Sequence, residues 1–138
     1  MTDKVYVDSN IFIYYVDGRA DLKLAARECL SVYFDDGTPL FSSDVTLGEC
    51  LRGVRAGDRE TAAAFLTVLE DKAFICLVDL TRSIIKRAAA LGAELNIKLI
   101  DAIHLATAEA LQCGVFLTND RGIRAPASIE LRYLSAEA

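Results

Sequence analysis

Four short apolar runs, separated by long stretches with helical periodicity, constrain the fold of this 138-residue chain more than any other feature. They are Val5-Tyr6-Val7, Leu40-Phe41-Ser42, Phe74-Ile75-Cys76-Leu77-Val78 and Val115-Phe116-Leu117. None alternates apolar with polar residues, as a strand with one wet face would, so each is expected to be covered on both sides. The intervening stretches have room for helices and clear start and stop signals. Ser9 or Asn10 is placed to cap a helix running to about residue 15, ended by Asp17-Gly18. Helices are expected over residues 21–34, from Ser43 or Asp44 through Leu51, over 60–69, from the cap Thr81 to 95, and over 101–112 with Gly114 as C-cap. Residues 129–134 are expected to add an edge strand. Strands alternating with helices call for a three-layer α/β/α sandwich with a mainly parallel sheet, built as one domain over residues 1–138.

Composition agrees with a packed α/β domain, since 53% of residues are hydrophobic and a chain this long buries a sizeable core unaided. No apolar run nears the roughly 18 residues of a membrane span, and no secretory leader pattern opens the chain. The expected location is therefore cytoplasmic, away from membranes. The four cysteines, Cys29, Cys50, Cys76 and Cys113, are widely spaced, each within an apolar segment. They are expected to be reduced and mostly buried. A single histidine and no C-x-x-C pair exclude a zinc site of the usual spacing.

The chemistry-bearing residues lie at one edge of the expected sheet. Ligands of open α/β sheets bind beyond the carboxyl ends of the strands. Asp8 follows the first run directly, and Asp120 stands three residues past the last one. Glu49 falls in the early turns after the second strand, and Asp101 opens the helix that precedes Asp120. Each acid alone has an ordinary explanation, a cap for Asp8 or Asp101 and a solvated helix position for Glu49. Together in one pocket they would repel and be poorly solvated, so they must take up protons or a cation. Oxygen-only ligands favour Mg²⁺ or Mn²⁺.

Four segments carry a family resemblance. Val7-Asp8-Ser9-Asn10-Ile11, Ser42-Ser43-Asp44-Val45-Thr46-Leu47-Gly48-Glu49, Leu99-Ile100-Asp101-Ala102-Ile103-His104-Leu105-Ala106-Thr107-Ala108 and Leu117-Thr118-Asn119-Asp120-Arg121 resemble the four acidic motifs of PIN domains. They occur in the family's order, with the acids 41, 52 and 19 residues apart. The resemblance spans roughly residues 4 to 134 and is nearest to VapC-like toxins, the ribonucleases of toxin–antitoxin pairs. It implies Mg²⁺- or Mn²⁺-dependent hydrolysis of RNA by Asp8, Glu49, Asp101 and Asp120, the same residues holding the metal. It further implies supporting roles for Asn10, which would orient Asp8, and for Thr118 and Asn119, with a small antitoxin and a second copy of the chain as partners. An extra acid found in some relatives after the fourth motif is missing, because Gly122-Ile123 follow Arg121.

A net charge of −5 runs against a nucleic-acid partner, although metal binding would neutralise part of it. Local bases, among them Arg52, Arg55 and Arg121, are the candidate RNA-phosphate contacts. His104, three residues after Asp101 on nearly the same helical face, reads as a packed or supporting histidine. The aromatics read mostly as core, with Phe12, Tyr14 and Tyr15 also placed to line a partner groove. No G-x-S-x-G, Walker A or G-x-G-x-x-G string occurs. A phosphatase of the haloacid-dehalogenase kind would need an acid where Asn10 stands. The alternative from another class is a non-catalytic PIN-like module that binds RNA or a partner protein.

Overall fold

The computed structural model describes residues 3–134. Its elements run β1 (Val5–Val7), α1 (Ser9–Asp17), α2 (Ala20–Asp35), β2 (Leu40–Ser43), α3 (Asp44–Arg52), α4 (Arg59–Leu69), β3 (Cys76–Val78), α5 (Arg82–Leu95), α6 (Leu99–Ala110), β4 (Val115–Leu117) and β5 (Glu130–Arg132). The strands form one sheet in the order β3-β2-β1-β4-β5, every pair parallel. β1 is central, with Val5 opposite both Leu40 and Val115.

The pleat sends alternate residues of β1 and β4 to opposite faces, and each face has its own helical cover. Val5, Val7, Val115 and Leu117 join Ile11, Phe12, Ala26, Leu30, Cys50, Phe65 and Leu69 from α1 to α4. Tyr6 and Phe116 point the other way, into Ala88 and Leu91 of α5 and Ala102, Leu105 and Ala106 of α6. The three-layer sandwich follows. No described helix is long and apolar enough to cross a membrane.

Several details depart from the sequence reading. Asp8 itself caps α1, its carboxylate accepting the Ser9 N–H at 2.8 Å, in place of Ser9 or Asn10. β3 begins only at Cys76, because the Phe74 and Ile75 N–H groups both donate to the Asp71 carbonyl and hold those residues in a turn. α6 starts at Leu99, two residues before Asp101. Its end is closed by Gln112, not Gly114: Gln112 takes a left-handed φ of 58°, its N–H donates to Glu109, and the Cys113 N–H donates to Ala108. That pair of bonds is a Schellman closure built without glycine. The cysteines are free thiols, but Cys76 is exposed on the sheet edge and Cys29 only half-buried. Phe34, read as core, is half exposed and rests on Phe74 with ring centroids 6.0 Å apart. Residues 135–138 lie outside the described residues.

Candidate active site

Asp8 is positioned by its own strand end and by its neighbours across the sheet. It is 4% exposed, and its N–H donates to the Leu117 carbonyl at 2.9 Å. One carboxylate oxygen, Oδ2, accepts from the Thr118 hydroxyl at 2.8 Å and from the Asn10 amide at 3.1 Å. Asn10 also donates to Thr118 Oγ1 and accepts the Asn119 N–H at 3.0 Å. Thr118 Oγ1 in turn accepts the Asp120 N–H at 3.0 Å. Asn10, Thr118 and Asn119 thus tie the end of β1 to the loop after β4. Three charge-assisted donors account for the burial of a carboxylate that would otherwise be costly.

Glu49 arrives from α3 through a second set of bonds. The Ser42 hydroxyl donates to the Val7 carbonyl at 2.8 Å and lies 2.6 Å from Thr46 Oγ1, locking the β2–α3 junction onto the end of β1. The helix then starts at Ser43, whose hydroxyl accepts the Val45 N–H, and Glu49 follows in the second turn. Its Oε1 lies 2.6 Å from His104 Nε2, and the same nitrogen is 3.7 Å from Asp8 Oδ1. Burial pushes the Glu49 carboxyl up, but the hydrogen bonds and charge of His104, with the Ser9 hydroxyl, outweigh it and leave it lowered. Burial likewise pulls His104 down, while Glu49, Asp8 and Asp101 together raise it.

Asp101, in the first turn of α6, is held above the usual carboxylate range by partial burial and then by the charges of Asp8, Asp120 and, more weakly, Glu49. Asp120 is exposed, and its Oδ1 accepts the Gly122 N–H at 2.9 Å. Asp101 and Asp120 face a shallow cleft of about 290 Å³ lined also by Asn96, Lys98 and Gly122. A larger groove, about 480 Å³, runs beside β3 between Leu47, Leu69 and Ile75, away from the acids. Among the described residues no three acidic, imidazole or thiol groups stand close enough to encircle an ion unaided. The donor set still suits Mg²⁺, which keeps several waters and is usually held by one or two carboxylates plus substrate phosphate.

A PIN domain family profile matches residues 5–128. The chain belongs to the PIN domain family. Solved structures resemble this PIN domain along most of their length. A toxin–antitoxin complex from Klebsiella pneumoniae is 25% identical with a TM-score of 0.69, over 92% of this chain and 99% of that one. VapBC2 from Rickettsia felis, bound to a fragment of promoter DNA, is 16% identical with a TM-score of 0.73, over 94% and 98%. VapC20 of Mycobacterium tuberculosis, a Sarcin-Ricin loop cleaving toxin, is 16% identical with a TM-score of 0.64, over 82% and 87%. No curated protein matches the chain in sequence.

The PIN domain brings Asp8, Glu49, Asp101 and Asp120 to the carboxyl ends of its strands, with Asn10, Thr118 and Asn119 between them. It leaves the arginine candidates outside. Arg52 and Arg55 are exposed at the end of α3 and in the turn beyond, and Arg121 lies over the Tyr133 ring at 4.2 Å. Among the described residues none of the three pairs with the four acids. Sequence reasoning gave no role to Tyr6, Ser42 and Thr46, whose hydroxyls serve the site from inside the fold. The one available signal was the spacing of His104 from Asp101.

Proposed function

We propose that this PIN domain is a metal-dependent ribonuclease that hydrolyses RNA phosphodiester bonds and serves as the toxin of a toxin–antitoxin pair. The observation that carries the reading is the gathering of the four acids: Glu49 Oε1 and Asp8 Oδ1 lie 2.6 and 3.7 Å from the same His104 nitrogen, and Asp101, three residues before His104 on α6, lines one cleft with Asp120. Carboxylates gathered at one edge repel one another, and a cation would relieve that repulsion. Asp8, Asp101 and Asp120 are the residues that would hold Mg²⁺ or Mn²⁺, with Glu49 as a further ligand or an orienting group. When bound, such an ion polarises a phosphoryl oxygen and lowers the pKa of water.

The chain's own residues would do the rest. Thr118 and Asn10 hold the Asp8 carboxylate in place through hydrogen bonds to Oδ2, and His104 holds Glu49 through Oε1. Arg121, next to Asp120, would be the first candidate contact to the RNA backbone, with exposed Arg52 and Arg55 as further candidates. A small antitoxin is the proposed inhibitor, by analogy with the toxin–antitoxin complex that the chain resembles, and a homodimer, implied by the resemblance of its motifs, is the proposed assembly.

The test is cleavage of mixed RNA by purified protein with Mg²⁺ or Mn²⁺ and with excess chelator. Metal-dependent cleavage that Asp8→Asn abolishes is the expected result. RNA binding without cleavage by the wild type would overturn it in favour of a non-catalytic binding module.

A further inference from the structure

We propose that Tyr6 and His104 form a positioning relay that fixes the Glu49 carboxylate within the acid cluster. The proposal rests on the nuclease reading only for what Glu49 is fixed for; the relay itself is a matter of geometry. His104 is 1% exposed and the only histidine in the chain. Its Nδ1 lies 2.7 Å from the Tyr6 hydroxyl, and its Nε2 lies 2.6 Å from Glu49 Oε1. A second carboxylate oxygen, Asp8 Oδ1, lies 3.7 Å from Nε2. Both of these oxygens are acceptors, so Nε2 must carry a proton to bond either. Tyr6 is fully buried on the central strand, stacked on Phe116 with ring centroids 5.2 Å apart, and edge-on to His104 at 5.7 Å. A tyrosine hydroxyl at neutral pH is an O–H. In the neutral ring that O–H donates to Nδ1 and leaves the proton on Nε2, pointed at Glu49.

The consequence concerns Glu49. A glutamate on a half-buried helix face has several rotamers open to it, and ordering it has an entropic cost. The imidazole holds Oε1 and leaves Oε2 outside that bond. The central strand thus sets the direction of an acid on α3 through a side chain on α6. A histidine that merely packed the interior would need neither the Nε2 donor nor the tyrosine hydroxyl.

Substitutions separate the two roles. In His104→Gln the amide nitrogen reaches close to the place of Nε2 and still donates to Glu49. In His104→Asn it reaches only the place of Nδ1. Titrating Mn²⁺ alone into the full chain by calorimetry should show affinity near wild type for the Gln variant. The Asn variant should bind about tenfold more weakly, the usual cost of removing a partner that orients a metal ligand. Tyr6→Phe keeps the stacking and loses one oxygen; it should weaken Mn²⁺ severalfold and carries the test if the histidine variants do not fold. Equal Mn²⁺ affinity across all folded variants would overturn the proposal.

A second arm needs neither metal nor RNA. With a sole histidine, long-range ¹H–¹⁵N correlation of the metal-free protein reads the ring directly. A proton on Nε2, with a resonance that shifts in Glu49→Gln, supports the relay. A neutral ring protonated on Nδ1 overturns it, whatever the nuclease assay returns. Wild type that neither binds Mn²⁺ nor cuts RNA would overturn the nuclease reading and leave the relay to be judged by the ring spectrum.

Discussion

Thr118→Val removes one hydroxyl from the centre of the acid cluster and keeps the volume of the side chain. Thr118 is fully buried, and its oxygen takes part in three bonds of unequal weight. The bond donated to Asp8 Oδ2 at 2.8 Å is charge-assisted, worth about 1.5–3 kcal/mol in a buried setting. The Asp120 N–H that it accepts at 3.0 Å belongs to an exposed residue, so water can replace the lost acceptor at little cost. The Asn10 amide loses Thr118 but retains Asp8 Oδ2, so no donor is orphaned. The added methyl returns less than about 1 kcal/mol of burial. The net loss is therefore about 2 kcal/mol. For a domain of this length, with roughly 2 cal/mol/K of unfolding entropy per residue, that lowers Tm by about 7 °C. Thr118→Ser keeps the hydroxyl and should fall by less than half as much. Calorimetric melts of the three metal-free proteins at pH 7 measure both. A Val variant that melts within about 1 °C of wild type would show that Asp8 does not depend on this donor, and the account of how the carboxylate is held would fail.

The acid cluster should respond to metal and pH in a defined direction. Asp101 is raised by burial and then by its acidic neighbours, so its favourable contribution is present below the unfolded value of about 3.9 and is lost as pH rises through the folded one. Metal-free Asp101→Asn should accordingly match wild type near pH 3.5 and melt higher at pH 7, in melts followed by circular dichroism. Mg²⁺ at tenfold above its Kd should add about 1.4 kcal/mol to wild type, roughly 5 °C, and distinctly less to the variant; equal shifts would refute a role for Asp101 in holding the ion. Thiol titration should find one fast-reacting group in the native protein, the exposed Cys76. Burial pushes Cys50 up to about 12 and Cys113 up to about 11, so these react only on unfolding, when the count should reach four.

Much of the fold was legible because local chemistry and tertiary demand agree. The residues of β1 and β4 are apolar on both faces because these strands lie inside the sheet. Ser43, one of two candidates, and Thr81 cap their helices where a hydroxyl followed by helical periodicity placed them. Asp8, Glu49, Asp101 and Asp120 were legible as a group because a parallel sheet sends every strand's carboxyl end to one edge.

What sequence by itself determined was the alternation of elements, and with it the edge to which the acids are delivered, since apolar runs and caps act within a few residues. The tertiary structure decided the rest. β3 is shorter than its apolar run because Ile75 is drawn into the core under α4 while Phe74 turns to Tyr15 and Phe34. Cys76 is exposed because its strand lies at the sheet edge. The place of His104 between Tyr6 and Glu49 depends on partners 98 and 55 residues away. Hydrogen bonds reach about 3 Å, so groups that distant in sequence find each other only after the sheet and both helical layers have packed.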